Sequence, residues 1–100
     1  MDIKELLQIT IDNKASDLHL LSGFPPVLRI EGVLSQIPGR PVLTHEVVQE
    51  LVMQLLTPEQ KEILTVNREL DFSFEVAGQG RFRVNAYYQK GTLAASLRLV

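Results

Sequence analysis

Residues 69–100 read ELDFSFEVAGQGRFRVNAYYQKGTLAASLRLV, and apolar and polar side chains alternate along them with the period of two that a half-buried strand imposes. Phe72, Phe74 and Val76 alternate with Asp71, Ser73 and Glu75, and Phe82, Val84, Ala86 and Tyr88 alternate with Arg81, Arg83, Asn85 and Tyr87. A two-residue turn at Lys90-Gly91 pairs the residues symmetric about it. Tyr88, Ala86, Val84 and Phe82 then oppose Leu93, Ala95, Leu97 and Leu99, so every apolar residue finds an apolar partner. The same register sets Arg83 opposite Arg98 on the polar face, where like charges disfavour one another by a few tenths of a kcal/mol, roughly the size of cross-strand pair terms. Such a pair invites an anion. Pairing Val76 with Phe82 in the preceding hairpin places Glu75 beside Arg83, which gives the alternative of an ordinary solvated Glu–Arg ladder.

Upstream, the pattern changes twice. Met1 to Asn13 has Ile3, Leu6, Leu7 and Ile11 at helical spacing, with Asp2 as N-cap, Glu5 three residues on and Asn13 to close it. Leu18 and Leu20 then alternate with Asp17 and His19 as a strand. Gly23-Phe24-Pro25-Pro26 is a loop, because proline lacks a ladder donor and restricts the residue before it. Residues 27–31 and 33–37 form two strands joined at Gly32, and Pro38-Gly39-Arg40-Pro41 is an internal loop. Thr44 caps a helix with a broad stripe of Val47, Val48, Leu51, Val52, Leu55 and Leu56, which is core. Thr57-Pro58-Glu59-Gln60 opens a second, short helix with a capping box and a proline at its first position, running to about Val66.

The order α-β-β-β-α-α-β-β-β predicts an α+β fold, a mainly antiparallel six-stranded sheet with about three helices in one domain spanning residues 1–100. A net charge of −2 gives no overall attraction to nucleic acid or anionic lipid, so any anion site must be local. With no cysteine and only His19 and His45, far apart in sequence, no metal site is implied. The acidic residues Asp2 and Glu5 and the lack of a long apolar run predict a cytoplasmic protein without membrane insertion.

Four separated motifs carry a resemblance: residues 15–20, residues 23–32, Leu70-Asp71-Phe72-Ser73-Phe74, and residues 81–91. Together they resemble the N-terminal domain of the PilT family of type IV pilus retraction (twitching motility) ATPases, in the secretion ATPase superfamily. The resemblance implies a PAS-like domain preceding a RecA-like ATPase domain that these residues do not include. It further implies ATP and Mg as the parent's cofactors, a homohexamer in which neighbouring subunits are partners, and contact with pilus platform proteins at the inner membrane. By position in the motif, Arg83 and Arg98 match arginines that reach the nucleotide's distal phosphates when the domain closes on the ATPase core. Arg81 and Tyr87 are weaker nucleotide-contact candidates. Lys90 stands where family members commonly carry arginine, and keeps the charge without the bidentate fork, so a turn role fits it better. No G-x-x-x-x-G-K-[ST] phosphate loop occurs, so the residues alone are not expected to hydrolyse ATP.

Other residues admit two readings. Asp17 and His19 could do acid–base chemistry, or hydrogen-bond within the sheet or to a neighbouring subunit. Phe24 could dock a partner or plug the sheet edge, and His45 reads as surface. Two rival functions stand beside the retraction motor: the same domain of a PilU-like accessory, type II secretion or pilus extension ATPase, and a free-standing PAS-like sensory or scaffold module.

Overall fold

A computed structural model describes all of residues 1–100. The chain forms α1 (Ile3–Asp12), β1 (Asp17–Leu20), β2 (Val27–Ile30), β3 (Val33–Gln36), α2 (His45–Met53), α3 (Pro58–Asn67), β4 (Glu69–Val76), β5 (Gly80–Gln89) and β6 (Thr92–Leu99), the order expected from the sequence. Helix starts follow their caps: the Asp2, Thr44 and Thr57 side chains accept from the backbone N–H groups of Lys4, Val47 and Gln60, and Gln60 returns the bond to complete the α3 capping box. Glu5 does not return a bond to Asp2; it pairs with Arg40 instead. Helix α2 stops at Met53, earlier than its apolar stripe suggests, yet Leu55 and Leu56 beyond it are still buried.

All six strands join one antiparallel sheet in the order β3-β2-β1-β6-β5-β4. The first and last strands of the chain therefore lie side by side at its centre. The apolar residues of directly opposed positions share one face: Leu28, Leu18, Leu97, Val84 and Phe72 form a row straight across five strands. That face meets Leu6 and Leu7 of α1, Val48, Leu51 and Val52 of α2 and Leu64 of α3 in one buried cluster. The Gln54 side chain ties the start of the chain to the end of α2, accepting from the Ile3 N–H and donating to the Met1 carbonyl. The opposite face carries the polar side chains.

Two hairpins turn on paired left-handed residues, Glu31-Gly32 (φ 49° and 81°) and Lys90-Gly91 (φ 53° and 78°), as two-residue turns matched to strand twist require. The second gives the expected β5–β6 register, with Arg83 opposite Arg98 and Phe82 opposite Leu99. The β4–β5 hairpin corrects the sequence reading: Val76 pairs with Gly80, not Phe82, so Ser73 lies opposite Arg83 and Glu75 opposite Arg81. Gly78 at φ 73° and a Gln79 N–H donated to the Val76 carbonyl tighten the loop to three residues. Gly80 thereby becomes a strand residue. A slip of two residues leaves every side chain on its own face, so hydrophobic alternation cannot detect it.

Leu97 sits at the centre of the sheet with no exposed surface, whereas Leu34 on edge strand β3 is 56% exposed. Leu97→Ala should lower unfolding free energy by about 2–5 kcal/mol, and Leu34→Ala by no more than about 0.5 kcal/mol. Urea unfolding of the two variants checks the contrast.

Candidate functional site

The polar face carries a transverse row of charged side chains produced by strand register alone. Arg29 of β2 opposes Asp17 of β1, Asp17 opposes Arg98 of β6, Arg98 opposes Arg83 of β5, and Arg83 opposes Ser73 of β4. Directly opposed residues lie on the same side of a sheet, so three guanidinium groups and one carboxylate share a single line across five strands. Beside the Arg98–Arg83 pair lies a shallow depression of about 230 Å³, lined by both arginines with Asp71, Asn85, Ser96 and Val84.

Asp17 organises the row. It is only 5% exposed, the one charged residue in the buried set, and a buried carboxylate is retained only when it is paired and hydrogen-bonded. Its Oδ1 accepts from Arg98 Nε at 3.3 Å and its Oδ2 accepts from Ser16 Oγ at 2.7 Å, with Arg29 Nε at 3.7 Å from Oδ2. The Arg29 head is also held by the Gly32 carbonyl, 3.1 Å from Nη1. Desolvation by burial pushes the Asp17 carboxyl upward; the hydrogen bonds from Ser16 and Arg98, and the electrostatic influence of Arg98 and His19, outweigh it and hold the group below its ordinary value of 3.8.

The two arginines differ. Arg98 is bound through Nε while its side chain remains 74% exposed, leaving its terminal nitrogens on the open face. Arg83 is exposed and enters no salt bridge or side-chain hydrogen bond. The expected Glu75 neighbour belongs instead to Arg81, at 2.9 Å, because of the two-residue difference in hairpin register. Arg83 therefore has no carboxylate within salt-bridge distance, and Asp71, which lines the same depression, is hydrogen-bonded to Asn85 instead.

The remaining candidates fall elsewhere. Arg81 is committed to Glu75 near the start of β5. Tyr87 lies on the arginine face but four residues from Arg83, roughly 13 Å along the strand; it opposes Ala94 and Glu69 and does not line the depression. Lys90 occupies the first turn position with φ 53°. Phe24 lines an apolar groove with His19, Leu21, Val27, Arg29 and Leu34, and His45 is exposed at the start of α2. Sequence reasoning missed Arg29, Asn85 and the Asp17–Arg98 pair. The signal for Asn85 was in its position two residues from Arg83; its amide nitrogen donates to Asp71 at 2.8 Å and Glu69 at 3.0 Å.

No protein-family model matches the chain. The type IV pilus retraction ATPase PilT of Pseudomonas aeruginosa is 41% identical to it over 100 residues, all of this chain and 29% of that protein. A solved pilus retraction motor PilT with bound ADP superposes with a TM-score of 0.91 at 36% identity, over 98% of this chain and 29% of the solved one. Sequence and fold are those of the N-terminal domain of a PilT-like secretion ATPase. The type IV pilus ATPase PilU of the same organism is also similar, 30% identical over the whole chain and 26% of its own length. The chain thus spans less than a third of these PilT and PilU relatives.

The Asp17 carboxyl binds a proton less readily in the folded chain than in the unfolded one, so its ionisation adds stability above the unfolded value near 4. That contribution is lost as pH falls through the lowered native value. Comparing wild type with Asp17→Asn by urea unfolding across pH, the stability gap should be largest and level above about pH 5 and should shrink below about pH 4. A gap of constant size down to about pH 2 would contradict the pairing described.

Proposed function

We propose that this domain serves an ATP-hydrolysing type IV pilus retraction motor, and that Arg83 and Arg98 engage the nucleotide's distal phosphates when the domain closes on a RecA-like ATPase core. The observation that carries the reading is the opposed arginine pair, on an open sheet face, with no carboxylate between its members. Two like charges held side by side are relieved by a polyanion that spans them, and guanidinium forks match phosphate oxygens in geometry as well as charge. The 41% identity to PilT against 30% to PilU favours a retraction motor over an accessory one.

The residues present fit one side of a nucleotide site. Guanidinium donors suit phosphate oxygens, but without a phosphate loop the chain has no cradle of backbone N–H groups for the rest of the triphosphate. Bound ATP with Mg²⁺ supplies the phosphoryl group and neutralises part of its charge, and both belong to the ATPase core. What this chain contributes is electrostatic: Arg83 and Arg98 lie where negative charge on the transferring group can be met by donors brought in by a mobile neighbour. Tying those donors to domain closure couples chemistry to movement. In this reading the domain works within a homohexamer, packed against neighbouring subunits, in the cytoplasm beside the inner membrane and its pilus platform proteins. No helix is long and apolar enough to cross a membrane.

Within the complete polypeptide, Arg83→Ala and Arg98→Ala should each lower ATPase turnover by about tenfold or more while leaving folding intact. Turnover at the wild-type level in a folded variant would count against the clamp. The 100-residue domain should show no ATPase activity and only weak ATP binding by calorimetry, because basic side chains without a phosphate loop make half a site; tight ATP binding by these residues alone would overturn the division of labour.

A further inference from the structure

We propose that Asp17 is the positioning residue for Arg98, fixing its guanidinium by the Nε–H so that the two terminal nitrogens are presented as a pre-set fork on the open face. The inference rests on the phosphate-clamp reading above and adds to it a specific anchor, reached from the opposite end of the chain.

The geometry divides the carboxylate between partners. Oδ1 accepts the Arg98 Nε–H at 3.3 Å, while Oδ2 is held by the Ser16 hydroxyl at 2.7 Å. The backbone N–H of Ser16 donates to the Arg29 carbonyl at 2.8 Å, which fixes the place of that hydroxyl on β1's flank. With one oxygen tied to its own backbone neighbourhood and the whole group buried, the carboxylate cannot rotate to follow Arg98. Arg98 must come to it. Arg29 does not compete strongly, since its Nε stands 3.7 Å off and its Nη1 is committed to Gly32.

An exposed arginine samples many rotamers, and ordering one on a ligand costs free energy. Fixing Nε on a buried anion removes part of that loss before the ligand arrives, which is how preorganisation raises affinity and transition-state binding. The contact uses Nε alone, so the terminal pair keeps the planar, bidentate edge suited to phosphate. Arg83, with no such anchor, is the adaptable member of the pair.

A double-mutant cycle in the complete polypeptide separates positioning from plain structural support. ATPase kcat and KM would be measured for Asp17→Asn, Arg98→Ala and Arg83→Ala, and for Asp17→Asn combined with each arginine variant. Acting through Arg98, Asp17→Asn should lower kcat/KM by about fivefold or more alone and in the Arg83→Ala background, yet change it by less than about twofold once Arg98 is gone. Equal losses in both arginine backgrounds would overturn positioning, as would a folded Asp17→Asn enzyme with wild-type kinetics. If Arg98→Ala itself turns over like wild type, the clamp fails and this inference falls with it, an outcome distinct from additive losses under an impaired Arg98→Ala. Should Asp17→Asn not fold, Ser16→Ala, which frees Oδ2 without leaving an arginine unpaired, runs the same cycle with the same expected pattern and the same contrary one.

Discussion

The antiparallel pairing of β1 with β6 is the constraint on which the rest of this structure depends. It joins residues 75 to 81 positions apart, sets Leu18 against Leu97 at the centre of the core, and with the same register sets Asp17 against Arg98 on the other face. One ladder therefore fixes both the hydrophobic layer and the charged row. A buried carboxylate at that place stabilises only the register that brings a guanidinium to it, and a slip of one residue would move both it and Leu18 to the wrong face. The ion pair and the apolar contact are thus mutually supporting statements of the same alignment.

Energetically the two faces play different parts. Burial of apolar side chains from three helices and one sheet face supplies the driving force, through a cluster that includes Leu6, Leu51, Leu64, Phe82 and Leu97. Apart from the buried Asp17, the polar face adds little to stability: its exposed contacts, such as Glu75 with Arg81, are of the kind worth at most about 1 kcal/mol. What that face provides is placement. Arg83 is left unpaired because the three-residue loop at Gly78 hands Glu75 to Arg81, and Arg98 is held at one edge only. An otherwise stable sheet can carry Arg83 without a carboxylate partner beside the anchored Arg98, and that is the basis for proposing the pair as a binding feature.

The sequence made the local half of this legible. Lys90-Gly91 announces a two-residue turn, and from that turn alone the Arg83–Arg98 opposition follows. Caps at Asp2, Thr44 and Thr57 likewise mark the helix starts. The illegible half is non-local or face-preserving. Nothing in residues 15–20 indicates that they pair with β6 rather than another strand, so the Asp17–Arg98 contact and the approach of Arg29 could not be read. The β4–β5 register was misplaced by two residues because both alignments keep Phe72, Phe74 and Val76 on the core face, and Gly80 reads more readily as loop than as strand. Tyr87 shares the arginine face by parity, but parity does not report the distance along the strand that separates it from the depression.

On the proposed function, Arg83 and the anchored Arg98 meet phosphate oxygens together. A structure of the complete polypeptide bound to a non-hydrolysable ATP analogue and Mg²⁺ tests it most directly. In subunits closed over nucleotide, the terminal nitrogens of both arginines should lie within about 3 Å of distal phosphate oxygens, with Arg98 Nε still on Asp17. Nucleotide-bound, closed subunits in which this sheet face points away from the phosphates, or in which Arg98 has left Asp17 to reach them, would contradict it.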